Sequence, residues 1–223
     1  MKKIRVVGTV HCARGWRAAA RPPSGVDLLE IRVDALPWPV SPGELARLAA
    51  RGLPLLVTVR DFAEGGARPL PHELRHQLYQ ELLPYAWGID IEAANLDRFS
   101  DLVAAAGSAG KTIVASFHDF DGLPSRRKLA GIARTARERG ADIVKVAAHV
   151  SDRRALAAFL AAADALGEPF AAMGMGPLGK VSRLAFAAAG SILNYGWLGS
   201  PQVPGQLSAK ALAGMLRGLL DQQ

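Results

Sequence analysis

Short apolar runs of β-like composition alternate along the whole chain with alanine- and leucine-rich segments of helical periodicity. The apolar runs predict eight strands, at residues 4–10, 27–33, 54–59, 88–92, 112–117, 142–146, 169–173 and 191–195. The segments between them predict helices at residues 41–51, 71–83, 96–109, 125–139, 151–166 and 179–189. Glycines stand where several of these helices should stop, at positions 52, 110, 140, 167 and 190.

A strict alternation of strand and helix implies a parallel sheet with right-handed crossovers. Eight repeats allow that sheet to close into an α/β (β/α)₈ barrel, the TIM barrel. An open doubly wound sheet is disfavoured, because the glycines of residues 8–15 lack the spacing of a dinucleotide-binding loop. No linker interrupts the alternation, so we expect residues 1–223 to form one barrel domain.

The composition is that of a globular protein, with 50% hydrophobic and 21% charged residues among 223. A single cysteine, Cys12, excludes an internal disulfide, and no segment approaches the roughly 20 apolar residues that span a bilayer. We therefore expect a cytoplasmic protein with no membrane partner. The net charge of +7 does not predict a nucleic-acid partner, because the cations are scattered and are not interleaved with aromatic residues.

Charged residues occur where the strands of a barrel should be apolar. The run ADIVKVA, residues 141–147, carries Lys145 at its centre. In a TIM barrel, inward-facing side chains near the carboxyl ends of the strands face the catalytic mouth. Other predicted strands and the loops after them supply more candidates: Glu30, Arg32 and Asp34 on one face, Arg60, Glu64, Asp90, Glu92, His118, Arg183 and Gln206. Any one pair could be a structural ion pair, but burying so many charges costs several kcal/mol each, which favours a solvated polar pocket.

A lysine and a histidine on neighbouring strands suit one kind of chemistry. Arginine neighbours and desolvation would disfavour the ammonium form of Lys145, so that its amine attacks a carbonyl and forms a Schiff base. The protonated imine is an electron sink. His118 on the adjacent strand is then a candidate base for the proton α to the former carbonyl.

Six motifs in order carry a family resemblance: E-I-R-x-D, T-V-R-x-x-x-E-G-G, S-x-H-D-F, I-V-K-V-A, M-G-x-x-G-x-x-S-R and P-G-Q. Together they resemble the type I 3-dehydroquinate dehydratases of the shikimate pathway, from the first predicted strand to Gln206. The resemblance implies dehydration of 3-dehydroquinate to 3-dehydroshikimate through a lysine imine, with no metal or organic cofactor. It also implies a homodimer.

The resemblance assigns roles to individual residues. Lys145 is the residue that forms the imine, and His118 is the acid–base residue that Glu64 orients and tunes. Arg183 would grip the substrate carboxylate with its planar fork. The remaining expected substrate ligands are Glu30, Arg32 and Arg60 at the ring hydroxyls and ketone, Thr9 in place of a family serine, and Gln206 in a lid.

One position departs from the family pattern. Gln202 stands where the family usually has a small hydroxyl residue, and Ser200 is nearby but out of register. We expect an altered affinity for the carboxylate and unchanged chemistry, since an amide also donates hydrogen bonds. The Gly- and Pro-punctuated residues 196–206 predict the lid itself.

Two other functions remain open from the sequence. One is an aldolase-type lyase that uses the same imine lysine on a keto acid, and the other is a barrel that binds a carboxylate without catalysis. A metal site is disfavoured, because His11 and Cys12 at the end of the first strand lack a ligand spacing. His72 and His76 are expected to be exposed helix residues, and His149 to lie in the loop after the sixth strand.

Overall fold

A computed structural model describes residues 4–203 and 205–220, and within them eight parallel strands form one sheet. The strands are β1 (Arg5–Val10), β2 (Leu28–Arg32), β3 (Leu55–Thr58), β4 (Gly88–Glu92), β5 (Thr112–Asp119), β6 (Ile143–His149), β7 (Phe170–Met175) and β8 (Leu193–Leu198). The helices are α1 (Ala13–Ala19), α2 (Pro42–Ala49), α3 (His72–Leu82), α4 (Ser100–Ser108), α5 (Arg126–Glu138), α6 (Arg153–Ala162), α7 (Gly179–Ala188) and α8 (Ala209–Leu220).

The sheet curls into a nearly closed barrel. Its strand order is β7-β6-β5-β4-β3-β2-β1-β8, so the first strand pairs with both the second and the last. At the seam between β7 and β8, the Ile192 N–H donates to the Phe170 carbonyl at 3.0 Å. The predicted (β/α)₈ barrel is therefore confirmed. No helix among the described residues is both long enough and apolar enough to cross a bilayer.

Some predicted boundaries were wrong. Helices α1 and α8 were not predicted, and the predicted helix at 96–109 begins with the 3₁₀ turn Asp97–Phe99 before α4. Strand β6 continues to His149, which pairs with Met175 of β7, so His149 ends a strand and does not lie in the following loop. Pairing with a neighbouring strand sets this end point, and local sequence does not report it.

The apolar core has two parts, and their arrangement leaves the mouth of the barrel polar. The larger part lies between the sheet and the helices. The smaller part fills the barrel interior at the amino-terminal ends of the strands, with Val7, Leu28, Leu56, Val114 and Ile143. Buried polar residues take over toward the carboxyl ends, among them Thr9, Glu30, Asp90, Glu92, Ser116 and Lys145.

Candidate active site

A cavity of about 480 Å³ opens at the carboxyl-terminal mouth of the barrel. The ten residues that the sequence assigned to catalysis or substrate binding line it: Thr9, Glu30, Arg32, Arg60, Glu64, His118, Lys145, Arg183, Gln202 and Gln206. Asp34, Asp90 and Glu92, which were also candidates for the mouth, do not line it. Eight separate regions of the chain, from β1 to the loop after β8, contribute the ten. The barrel therefore brings together side chains that lie up to about 200 positions apart.

Lys145 projects from β6 into the barrel and is 3% exposed. Its Nζ donates to Asp90 Oδ2 at 2.8 Å and lies 3.5 Å from Glu30 Oε1. The same nitrogen sits over the Tyr195 ring, 4.3 Å from the centroid. The expectation of arginine neighbours is wrong for its direct contacts, because the inward positions of β2 and β4 carry carboxylates. These carboxylates compensate the charge that the strand buries.

Arg60 follows β3 and belongs to the same ion network. Its guanidinium donates to Asp90 Oδ1 and Glu92 Oε1, each at 2.8 Å, and to Ser116 Oγ at 2.5 Å. Burial opposes its charge, but the two carboxylates outweigh that effect and raise the pKa of Arg60 well above its ordinary value. Asp90 thus receives one cation on each oxygen, and the same pairing lowers the pKa of its carboxyl although burial alone would raise it. For Arg60 the structural ion-pair interpretation describes the contacts better than a free ligand for hydroxyl groups.

Glu30 and Arg32 lie on β2, the strand that pairs with β3. Glu30 accepts hydrogen bonds from Thr9 Oγ1 at 3.0 Å and Thr58 Oγ1 at 3.2 Å. Arg32 forms a two-bond pair with Asp34, at 2.9 and 2.8 Å, and the Arg32 side chain is 12% exposed. Asp34 was expected to continue the strand face, but it lies in the turn after β2. There it also accepts from backbone N–H groups of Arg60 and Ala67.

His118 and Glu64 form a pair at the edge of the cavity. One Glu64 oxygen, Oε2, lies 3.0 Å from His118 Nδ1 and accepts from the His118 backbone N–H at 3.0 Å. Glu64 ends the short 3₁₀ turn Phe62–Glu64, and His118 lies near the end of β5. His118 aligns with Ala147 of β6, two positions after Lys145, so both side chains are directed into the barrel.

Burial dominates the ionisation of this pair. It raises the pKa of Glu64 to about 7, with Arg60 opposing the shift and Glu92 adding to it. Burial also lowers the pKa of His118 well below its ordinary value, and the charges of Arg60 and Lys145 lower it further. The imidazole is therefore neutral near pH 7. A neutral imidazole held by a carboxylate is suited to accept a proton.

Arg183, on α7, is buried without a counterion. Its Nε donates to the Tyr195 carbonyl, and its Nη1 donates to the carbonyls of Gly174, Gly179 and Gly205, at 2.6 to 3.1 Å. No carboxylate among the described residues forms an ion pair with it, and burial lowers its pKa to about 10. A guanidinium held only by neutral groups favours the binding of an anion from the cavity.

The predicted lid begins later than expected, because residues 196–198 complete β8. Gln202 donates its backbone N–H to Gln206 Oε1 at 3.0 Å. This contact engages the amide oxygen of Gln206, and the amide nitrogen of the same side chain is the atom that can donate a hydrogen bond. Gly205 has a φ of +78°, and a Cβ there would lie 2.2 Å from the Gly176 carbonyl, which only glycine permits. Pro204 of the P-G-Q motif lies outside the described residues. Ser200 does not line the cavity; its Oγ lies 3.4 Å from His11 Nε2.

Several cavity residues were not identified from the sequence. Phe120, Met173, Met175, Ala147 and Tyr195 also line the cavity. Most of them continue the inward-facing alternation of β6, β7 and β8, a signal that the apolar character of those strands conceals. His11 borders the mouth as expected, and its Nδ1 is buried without a hydrogen-bond partner in the described part of the chain. His76 is hydrogen-bonded to Asp101 at 2.7 Å, away from the cavity.

The shared carboxylate generates a stability prediction. Asp90→Asn leaves Lys145 and Arg60 with less compensating charge in the barrel, and we expect it to lower the free energy of unfolding by about 3–5 kcal/mol. Urea denaturation at pH 7 measures the effect. The control is Asp164→Asn, which breaks an exposed ion pair with Arg126 and should shift the midpoint far less. An Asp90→Asn protein that unfolds at the wild-type midpoint would contradict the prediction.

Comparisons with known proteins identify the family of this chain. The sequence model described as type I 3-dehydroquinase matches residues 13–222. The 3-dehydroquinate dehydratase of Methanocella arvoryzae is 35% identical over 196 residues, which cover 86% of this chain and 87% of the relative. The one from Methanothermobacter thermautotrophicus is 33% identical over 202 residues, covering 89% and 88%.

Solved structures extend the comparison to the fold. The 3-dehydroquinate dehydratase of Enterococcus faecalis superposes with a TM-score of 0.82 at 27% identity, covering 98% of this chain and 95% of that one. The family match spans nearly all of the barrel, and both relatives named above exceed 30% identity over most of both chains. The chain belongs to the type I 3-dehydroquinase family.

Proposed function

We propose that this chain dehydrates 3-dehydroquinate to 3-dehydroshikimate, a step of the shikimate pathway, through a Schiff base on Lys145. Relatives of this family that carry the name 3-dehydroquinate dehydratase support the reaction. One observation carries the mechanism. A single cavity holds a buried lysine, a carboxylate-bound histidine and a guanidinium, that of Arg183, which has no counterion in the described part of the chain.

The substrate carboxylate binds at Arg183. Four protein carbonyls hold the guanidinium in place through Nε and Nη1, which directs its remaining hydrogen-bonding capacity to a ligand. The amide nitrogen of Gln206 supplies a second donor from the lid, because Gln202 occupies the amide oxygen. Gln202 acts here through its backbone. Gln202 also lines the cavity, so the change from the usual hydroxyl residue alters affinity, while the residues that carry out the chemistry are unchanged.

The ketone end of the substrate lies at Lys145. The amine attacks the carbonyl carbon, and loss of water from the adduct gives a protonated imine. Asp90, 2.8 Å from Nζ, is the counterion for the cationic nitrogen throughout. Before the attack, the ammonium proton passes to Glu30, whose Oε1 lies 3.5 Å from Nζ, and Glu30 returns it to the hydroxyl group that leaves the adduct as water.

His118 then performs the elimination. Its neutral imidazole removes a proton from the carbon adjacent to the imine, and the electron pair flows into the iminium to form an enamine. The enamine expels the β-hydroxyl group, which leaves as water after taking the proton from His118. Hydrolysis of the conjugated imine releases the enone product and regenerates Lys145. Glu64 orients the imidazole throughout.

The ring hydroxyls face β1 and β2. Glu30 and Arg32 are the ligands that this proposal places there, with Thr9 holding Glu30 at 3.0 Å. Arg60 contributes mainly through the electrostatic field of its positive charge, because its guanidinium already donates to Asp90, Glu92 and Ser116. That positive field also helps to keep His118 neutral.

The cellular setting rests on the family resemblance. We propose a cytoplasmic homodimer with the small-molecule substrate 3-dehydroquinate as its partner. The cation distribution along the sequence favours neither a nucleic acid nor a membrane surface as a partner.

Product formation and covalent trapping test the mechanism together. Incubation with 3-dehydroquinate and a chelator should generate the ultraviolet absorbance of a conjugated enone. Adding borohydride should attach one reduced ligand to Lys145, which peptide mapping by mass spectrometry locates. Lys145→Met should abolish both signals, whereas Lys111→Met, a lysine outside the cavity, should retain both. Labelling at Lys111 or Lys180 in the wild-type protein would overturn the assignment.

The raised pKa of Glu64, about 7, predicts the pH dependence of turnover. The carboxylate form accepts the Nδ1 proton of His118 and so leaves the lone pair on Nε2, and protonation of Glu64 removes this arrangement. We therefore expect kcat to rise with pH through about 7 and to lose that ascending limb in Glu64→Gln. A kcat that is flat from pH 5.5 to 8.5 in the wild-type protein would contradict this.

A further inference from the structure

A second layer of ion pairs lies behind the cavity, at Arg75 on α3. Arg75 is 3% exposed and does not line the cavity. Its Nε donates to the Val59 carbonyl at 3.0 Å and its Nη1 to Asp61 Oδ2 at 2.8 Å. Its Nη2 donates to Glu92 Oε2 in a short hydrogen bond. One buried guanidinium therefore ties together the end of β3, the residue after Arg60 and the end of β4.

Asp61 transmits this restraint to the turn that carries Glu64. Its Oδ1 accepts from the Ala63 N–H at 3.0 Å, which caps the 3₁₀ turn Phe62–Glu64. Its backbone carbonyl accepts from the N–H groups of Glu64 at 3.0 Å and Gly66 at 2.9 Å. The Asp61 N–H in turn donates to Glu92 Oε1 at 2.9 Å. The position of the Glu64 side chain thus depends on how firmly Asp61 is held.

The restraint has a second anchor at Glu92. This carboxylate is fully buried and accepts from Arg60 through Oε1 and from Arg75 and Asn95 through Oε2. Without Arg75, Oε2 would lose its only cationic donor among the described residues. A buried carboxylate that loses its cation raises the free energy of the folded state. The Arg75–Glu92 ion pair therefore opposes local opening at this end of the barrel.

We propose that Arg75 is a positioning residue for the acid–base pair, because through Asp61 and Glu92 it fixes the turn that presents Glu64 to His118. Neither Arg75 nor Asp61 lines the cavity, and the contacts of Asp61 connect the pair to the turn that carries Glu64. This inference rests on the proposed function, in which the Glu64 carboxylate orients the base.

A looser turn changes both the position and the hydration of Glu64. Burial is the largest cause of its raised pKa, and the charges that face it are those of Arg60, Glu92 and Asp90, together with the bound His118. When the turn opens, water reaches the carboxylate and its pKa falls toward the ordinary value. At the same time His118 loses its fixed partner. A lower plateau of kcat and an ascending limb moved to lower pH are therefore expected together.

The experiment uses Asp61→Ala, whose side chain is 30% exposed, so that the variant is expected to fold. The kcat plateau should fall on the order of 10-fold, within the usual size of general acid–base effects. The ascending limb should move down by about one pH unit. Asp61→Asn retains an oxygen to cap Ala63 and loses the oxygen that accepts from Arg75 and Asn95, so its shift should be smaller. Arg75→Lys, which cannot reach three acceptors with one fork, should resemble Asp61→Ala.

Asp164→Asn is the matched control, because it breaks an Arg–Asp pair on the surface and should leave kcat and its pH profile unchanged. Titration of the Glu64 carboxyl by ¹³C NMR in the free protein gives the same shift without turnover. A purely structural role would lower the melting temperature of Asp61→Ala without moving either titration, and that result would overturn the inference. If the wild-type protein showed no dehydratase activity, the proposed function would fail, while the NMR shift would still decide the role of Arg75.

Discussion

Asp90, shared between Lys145 and Arg60, is the interaction on which the rest of the site depends. Each oxygen of this fully buried carboxylate accepts from one cation at 2.8 Å. Without it, the ammonium would keep only Glu30, at 3.5 Å, and the guanidinium only Glu92, and a buried charge with incomplete compensation costs several kcal/mol. Asp90 therefore allows a lysine to occupy a strand position that would otherwise be apolar. Its hydrogen bond also holds the Nζ atom of Lys145 at the wall of the cavity.

The two ends of the cavity are electrostatically different. Around Lys145 the contacts are carboxylates, whereas around Arg183 they are backbone carbonyls. The first environment suits an iminium, because its positive charge replaces that of the ammonium beside Asp90. The second suits a carboxylate ligand, because Arg183 has no counterion among the described residues. A keto acid with its ketone and its carboxylate at opposite ends matches this polarity, and a neutral sugar does not.

The sequence predicted the barrel well, because its evidence is local: apolar runs and helical segments alternate, and the strands occur where expected. It also placed the ten residues assigned to catalysis or substrate binding near one mouth, since inward-facing positions at strand ends must converge there. What it could not predict was the pairing of charges. Whether Lys145 contacts a carboxylate or an arginine depends on which side chains of β2, β4 and β6 point into the barrel. Similarly, Arg75 lies on a helix, and nothing in its local pattern indicates contact with Asp61.

The central claim is that Lys145 bonds to the ketone carbon while Asp90 and Arg183 hold the two ends of the ligand. A crystal structure of the protein after borohydride reduction with 3-dehydroquinate measures this most directly. The account predicts a covalent bond from Lys145 Nζ to the ring, Asp90 within hydrogen-bond distance of that nitrogen, and the ligand carboxylate against Arg183. A ligand bonded elsewhere, or one whose carboxylate points away from Arg183, would contradict it.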